Sequence, residues 1–338
     1  MNISANRSIF KSVNLVTLYA VYILILVGGI VRSVGAGMGC PDWPKCFGQY
    51  FPPSSVETLP SNYQEVYADK RIEKNKRLAN VLNSLGFKSL SAQVMDNPEV
   101  RMKTKFSPLK ARVEYINRII GVLIGIFIII NFWYSLKLRK INYWIPLNGA
   151  LALVLVIFQG WVGSLVVSTN LLPGFITFHM LLALLLVAIL LIQRFLIVGS
   201  NRVYGSSWIV SVLLFLTLVQ IILGTGVREQ VDALNASGLS RLEWIPSLGI
   251  KFYVHRSFSI LVLVLSVLLI YKHWNRARNN QLLILIGGVV LMEILLGVIL
   301  SYGGMPPFAQ PLHLLLGTIS FGALFYLFLE QNFKIEIT

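Results

Sequence analysis

Eight apolar runs dominate this chain, each close to the roughly 20 residues that one helical membrane crossing needs. They fall at about 13–34, 112–134, 145–168, 173–197, 207–227, 252–271, 281–302 and 310–329. Hydrocarbon offers no partner to a backbone N–H or C=O, so runs of this length are predicted as helices. Composition agrees: 13% of the 338 residues are charged, against about 25% in a soluble domain. The first run continues through Gly28-Gly29-Ile30-Val31-Arg32 without a small-residue cleavage site. With seven comparable runs behind it, it is predicted as a span rather than a cleaved signal peptide.

The formal charge of +15 raises the question of nucleic acid, and its distribution answers it. Short connections after even-numbered spans hold Lys137, Arg139 and Lys140, then Arg194 and Arg202, then Lys272, Arg276 and Arg278; the N-terminal tail adds Arg7 and Lys11. The opposite connections, 169–172 and 303–309, hold no Lys or Arg. This asymmetry predicts both termini on the cytoplasmic side. The basic loop 35–111 falls on the outer side, which loops longer than about 60 residues tolerate. A bacterial-type cytoplasmic membrane with membrane lipid as its partner, and no nucleic acid, is the expectation.

An internal repeat organises the spans. Gln159 with Glu293, Gly163 with Gly297 and His179 with His313 share one offset of 134 residues. Glu114-Tyr115-Ile116-Asn117-Arg118 opens the second span as Phe252-Tyr253-Val254-His255-Arg256 opens the sixth, and Gly29-Ile30-Val31-Arg32 ends the first as Gly226-Val227-Arg228 ends the fifth. The predicted fold is all-α: eight transmembrane helices as two tandem four-helix bundles related by pseudo-twofold symmetry. Four is even, so both bundles enter the membrane in the same sense. The halves are 1–200, carrying the loop 35–111, and 201–338. Within that loop, 70–94 reads as an amphipathic surface helix or a poorly ordered insert, and no chemistry is assigned to it.

His179, His255 and His313 lie at one predicted depth, near the outer side, while His273 sits among cytoplasmic basic residues. A neutral imidazole in a helix bundle suits axial ligation of haem iron. His255 and His313, on different helices of one half, can clamp a haem from both faces, an arrangement suited to electron transfer. The alternative is a pair of polar helix-end residues bonded to backbone or headgroups. In the other half the repeat mate of His255 is Asn117, a far weaker ligand. His179 there implies either a haem with an open face, where oxygen chemistry belongs, or an empty or structural site.

Glu114 shares a helical face with Asn117 and stands four residues before Arg118. It is either a catalytic acid, relaying a proton or accepting a bond from substrate, or half of an ion pair reaching the interface. Arg32, Arg118, Arg228 and Arg256 either pair with haem propionates or anchor helices at the interface. Glu293, inside the seventh span, leaves three roles open: a proton route, a partner for a buried donor, or a protonated packing residue. The two cysteines, Cys40 and Cys46, share a short outer loop on the oxidising side, where disulfides persist. A loop staple and a redox-active pair remain equal readings. CxxCH attachment and glycine-rich nucleotide motifs are absent from the sequence, so a haem would be held non-covalently.

In order along the chain, these motifs resemble those of the haem A synthase family. The matches are Gly28-Gly29-Ile30-Val31-Arg32, Gly39-Cys40-Pro41-Asp42-Trp43-Pro44-Lys45-Cys46, Glu114-Tyr115 with Arg118-Ile119-Ile120-Gly121, and Gln159-Gly160-Trp161-Val162-Gly163 with His179. They continue through Gly224-Thr225-Gly226-Val227-Arg228-Glu229, His255-Arg256 and His313, spanning nearly all the chain outside the long loop. The resemblance implies a haem-dependent oxidoreductase that converts a methyl group of haem O to the formyl group of haem A by successive hydroxylation and loss of water. It implies haem O as substrate in the N-terminal half and haem b as cofactor in the C-terminal half. Glu114 takes the catalytic acid position, His179 an axial position at the substrate site, and His255 with His313 the haem b ligands. Cys40 and Cys46 take the loop pair near the substrate haem. A haem O synthase, the terminal oxidase assembly pathway and an electron donor are the implied partners. The chain departs from the family pattern E-x-x-H-R at Asn117, which removes one imidazole from the substrate site while Glu114 and Arg118 remain. Two rivals stand beside this reading: a membrane cytochrome b that leaves its haem unoxidised, and a haem carrier or assembly protein.

Overall fold

In a computed structural model, the structure describes residues 3–97, 103, 105–169, 171–172, 174–199, 208–274 and 281–335. Among these residues the chain is all-α, with an isolated antiparallel bridge between Cys46 and Gln49. Its helices are α1 (Ile3–Ser33), α2 (Tyr63–Ser84), α3 (Lys88–Asp96), α4 (Pro108–Leu136), α5 (Trp144–Ser168) and α6 (Phe175–Val198). They continue with α7 (Trp208–Ala236), α8 (Arg241–Ser247), α9 (Ile250–Lys272), α10 (Gln281–Tyr302) and α11 (Ala309–Asn332). Eight of them are long and apolar enough to cross a membrane: α1, α4 to α7, and α9 to α11. The chain is a multi-pass membrane protein. Arg202, Arg276 and Arg278, which carry part of the sidedness argument, lie outside the described residues.

The predicted spans and the helices differ mainly at their ends. Helix α1 begins ten residues before the predicted position 13, and α7 runs nine residues past 227. That extension is polar, and it stays helical because Arg228 pairs with Asp232 one turn on, at 2.6 Å. The stretch 70–94 is two helices rather than one. Gly86, at φ +88°, supplies the left-handed turn between α2 and α3.

By contacts the described chain forms two compact units. One comprises Met1–Ile30, Ile124–Val156 and Leu181–Thr338. Its core brings α7, α9, α10 and α11 together around Leu213, Leu269, Ile286 and Leu324, all fully buried. Polar bonds add to the packing: Asn131 donates to the Gln193 side chain at 2.7 Å, and Gln193 to the Ile145 carbonyl at 3.0 Å. Such interhelical bonds are worth up to about 2 kcal/mol in a membrane. Outward-facing Val154 and Phe215 remain exposed, as a lipid-facing surface requires. Helix α8 opens with a reciprocal capping box between Ser240 and Glu243, and Arg241 donates to the Met305 carbonyl at 2.9 Å.

The other unit comprises Val31–Leu123 and Ile157–Met180. Here the inserted helices α2 and α3 pack on the end of α5. Leu78, Ala79 and Val94 form one cluster with Leu165 and Leu172. Asn75, 3% exposed, donates to the Ser168 carbonyl at 2.7 Å, and Asn97 to the Thr169 carbonyl at 3.1 Å. The insert is therefore a docked part of the fold.

Candidate functional site

His255 is the sixth residue of α9 and His313 the fifth of α11. Their ring centroids are 6.3 Å apart and the ring planes stand at 87°. A Cβ on Gly224 of α7 would lie 3.1 Å from His255 Cε1, so glycine there lets the imidazole lie against the helix without being pushed aside. Gln220, one turn earlier on α7, donates to the His255 carbonyl at 3.0 Å. Across from it, Glu293 Oε2 lies 3.3 Å from His313 Nδ1. The two are close without an aligned N–H···O bond, and the Nδ1 atoms of both histidines are buried without a hydrogen-bond partner.

These features fit haem. Two metal–imidazole bonds of about 2 Å each would set the ring centres roughly 6 Å apart. Among the described residues, no three His, Cys, Asp or Glu side chains group as a metal cage. Two protein nitrogens suffice for an iron that brings its own equatorial ligands.

The second cluster is built on α4 and the loop before it. Glu114 is 3% exposed; its Oε2 accepts from the Cys40 backbone N–H at 2.7 Å, and its Oε1 pairs with Arg118. The Arg118 guanidinium also donates to the carbonyls of Asp42 (2.6 Å), Cys40 (2.9 Å) and Lys45 (3.0 Å). The Asp42 carboxylate accepts in turn from the Phe47 and Gly48 N–H groups at 2.6 and 2.8 Å. Cys40 and Cys46 are joined by a disulfide, and both are 0% exposed. A Cβ on Gly39 would collide with the backbone of Lys110, which explains a glycine where the loop crosses α4.

His179, the fifth residue of α6, meets its neighbour helix in the same manner as His255. A Cβ on Gly163 of α5 would lie 3.3 Å from His179 Cε1, and Gln159 donates to the His179 carbonyl at 3.0 Å. His179 Nδ1 and Asn117 Oδ1 are both buried without a partner. The insert reaches the same unit's centre: Lys74 Nζ lies 3.5 Å from the carbonyl of Ser164, the residue after Gly163. Burial, and then the charge of Arg118, hold the Lys74 ammonium below its usual range.

The structure thus brings Glu114, Arg118, Cys40 and Cys46 into one network, and His255, His313 and Glu293 into another. The four arginines are placed differently. Arg118 holds the loop, Arg228 bonds Gln310 and Asp232, and Arg256 bonds the Tyr302 hydroxyl at 2.7 Å. Arg32, half-buried, lies in the last turn of α1, where its carbonyl accepts from the Gly35 N–H. Sequence reasoning missed Gln220 and Lys74. A signal for Gln220 existed: a glutamine or glutamate four residues before a glycine recurs as Gln159/Gly163, Gln220/Gly224 and Glu293/Gly297. At the fourth place, the offset that aligns Arg32 with Arg228 sets Leu24 and Gly28 against Gln220 and Gly224. The half that has Asn117 for histidine also has leucine for that glutamine.

Fold and site together define a multi-pass helical membrane protein with a facing histidine pair and a separate buried acid. A family model described as COX15-CtaA, cytochrome oxidase assembly protein, matches residues 11–78 and 87–325. The chain belongs to that family. It is 25% identical over 317 residues to a heme A synthase of Shewanella oneidensis, covering 84% of each chain. It is 24% identical over 341 residues to a heme A synthase of Ehrlichia canis, covering 91% of this chain and 88% of that one.

Proposed function

We propose that this chain is an oxidoreductase that converts haem O to haem A, taking a ring methyl group to formyl by successive hydroxylation and loss of water. The relatives named heme A synthase support the reaction. The observation that carries it to this chain is Glu114: a carboxylate 3% exposed, held between Arg118 and the Cys40 N–H, in the unit that also contains His179. An electron-transfer cytochrome has no need of that second, chemically different site.

In this reading the N-terminal half, 1–200, takes the substrate and the C-terminal half, 201–338, holds haem b, the two being four-helix bundles related by pseudo-twofold symmetry. His255 and His313 are the axial ligands of haem b, which passes single electrons when bound. His179 is an axial ligand on the substrate side, with Asn117 close to Glu114 along α4. Glu114 holds a proton at Oε1 or Oε2, or accepts a hydrogen bond from the substrate, in a place from which bulk water is excluded. Arg118 keeps its carboxylate and the disulfide loop in register. Arg32, Arg228 and Arg256 remain the candidates for haem propionates. The disulfide acts as a staple, because a buried sulfur is closed to the thiolate attack that exchange requires. Both termini are cytoplasmic and the sites face the outer side of a bacterial-type cytoplasmic membrane. An outside donor supplies electrons, a haem O synthase the substrate, and the terminal oxidase assembly pathway takes the product.

The second reading, a haem-binding relative that leaves haem O unchanged, is favoured by Asn117 together with Leu24. The test is haem extraction after expression in a host that makes haem O but not haem A. Haem A in the extract, lost on Glu114→Ala, supports the synthase. Bound haem b beside unaltered haem O, with oxygen and reductant adequate, moves the assignment to the second reading.

A further inference from the structure

Each of the three membrane histidines is met by the same local device, and one copy of it differs. Gln159 and Gln220 each donate to the backbone carbonyl of their histidine at 3.0 Å. Such a bond positions a helix turn and leaves the ring nitrogens alone. Glu293 stands in the equivalent place before Gly297, but a carboxyl group has no N–H to give. Its oxygen instead approaches the ring itself, 3.3 Å from His313 Nδ1. That nitrogen is buried without an aligned hydrogen bond, with the Glu293 carboxyl group and the Glu293 backbone carbonyl both beside the ring. His255 has no carboxylate beside it: the acceptor at its ring is the neutral Gln220 backbone carbonyl, while the Gln220 side-chain N–H donates to the His255 carbonyl.

We propose that Glu293 is a positioning residue for His313, accepting the Nδ1–H hydrogen bond so that Nε2 is presented to haem iron, and that it makes the two axial imidazoles electronically unequal. This rests on the haem b reading above. A carboxylate behind a ligating imidazole fixes its tautomer and raises its basicity, and a more basic ligand favours ferric over ferrous iron. Glu293 therefore lowers the potential of the C-terminal haem.

The experiment is a redox titration of the purified full-length protein, wild type against Glu293→Gln, with haem content and the low-spin ferric electron paramagnetic resonance (EPR) spectrum measured alongside. Glutamine matches glutamate in size, so haem content should hold while the potential rises. Loss of a partner behind a ligating histidine changes metal affinity about tenfold to a hundredfold. The lower figure, applied to the ferric-over-ferrous preference, is an upward shift of about 59 mV. The EPR signature should move with it. If Glu293→Gln does not accumulate, Glu293→Asp, which withdraws the oxygen from Nδ1, should raise the potential in the same direction. In the wild type, electron–nuclear double resonance before and after exchange into D2O should show two inequivalent exchangeable imidazole protons. An unchanged potential and spectrum in the variant that accumulates, or equivalent protons in the wild type, overturns the proposal. A wild-type protein without a six-coordinate low-spin haem fails at the earlier step and overturns the haem b reading itself.

Discussion

Replacing Arg118 with alanine tests how the disulfide loop is held. The Arg118 and Glu114 side chains are 12% and 4% exposed, and the guanidinium also reaches three loop carbonyls at 2.6 to 3.0 Å. Removing one partner of a buried ion pair costs about 3–5 kcal/mol, chiefly because the other charge is left uncompensated. Glu114 keeps the Cys40 N–H at 2.7 Å, which places the expected cost near the lower end, about 3 kcal/mol. That loss falls on local opening of residues 39–49 rather than on the membrane helices. At about 1.4 kcal/mol per factor of ten, opening becomes roughly 100-fold more frequent. Cys40 and Cys46 are 0% exposed, so a reductant reaches the disulfide only through the open form. The assay is the rate of reduction by a small thiol, read by maleimide labelling of the freed cysteines in detergent-solubilised protein. Where closing is fast relative to reduction, the rate follows the open population. Arg118→Ala should be reduced roughly 100 times faster than wild type, and Arg118→Lys, which keeps the charge without the fork, should fall between. Equal rates in wild type and Arg118→Ala would refute the idea that this network closes the loop.

Three further outcomes are expected. On the haem b reading, Gly224→Val should lose the haem held by His255 and His313, because even a Cβ would lie 3.1 Å from His255 Cε1, whereas Gly226→Ala, with its nearest neighbour at 3.7 Å, should keep it; the pyridine haemochrome spectrum decides. Asn75→Ala should weaken docking of the insert by about 1–3 kcal/mol, the cost of a lost buried hydrogen bond; faster hydrogen exchange across α2, with the membrane helices unaffected, is the readout. Lys74 carries a penalty in its charged form, with a folded-state pKa below its usual value of 10.5. Between the folded and unfolded values the unfolded chain binds more protons, so stability from this group rises with pH and is least below both values. Thermal melting of wild type should gain on Lys74→Met as pH climbs toward 10.5, and a gap that stays constant would contradict it.

How far the residues alone carried the account differs from element to element. The membrane helices were legible because hydrocarbon imposes its requirement on each segment separately: enough consecutive apolar residues, with backbone bonds closed inside the segment. Helix α10 ends at its predicted bound, Tyr302, for that reason. The polar end of α7 does not meet that requirement, and it is helical through the Arg228–Asp232 pair and its packing near α8. The Glu114–Arg118 pairing follows from a four-residue spacing, since neighbours one turn apart share a face in any helix.

What lies behind those residues needed the folded chain. The ion pair also holds the carbonyls of Asp42, Cys40 and Lys45, some seventy residues upstream, and no local rule connects a guanidinium to carbonyls at that separation. Loop 70–94 offered no assignable chemistry because its polar residues find partners only when α2 lies on α5, where Asn75 meets Ser168 and Lys74 meets Ser164. Glu293 shows the same division within one residue. Its spacing before Gly297 was visible as a repeat, but three roles fitted it equally. Its approach to His313, on a different helix, is the observation on which the positioning proposal rests. Local spacing determines which side chains share a helix face; which groups meet across helices depends on how those faces pack, and that packing exists only in the tertiary structure.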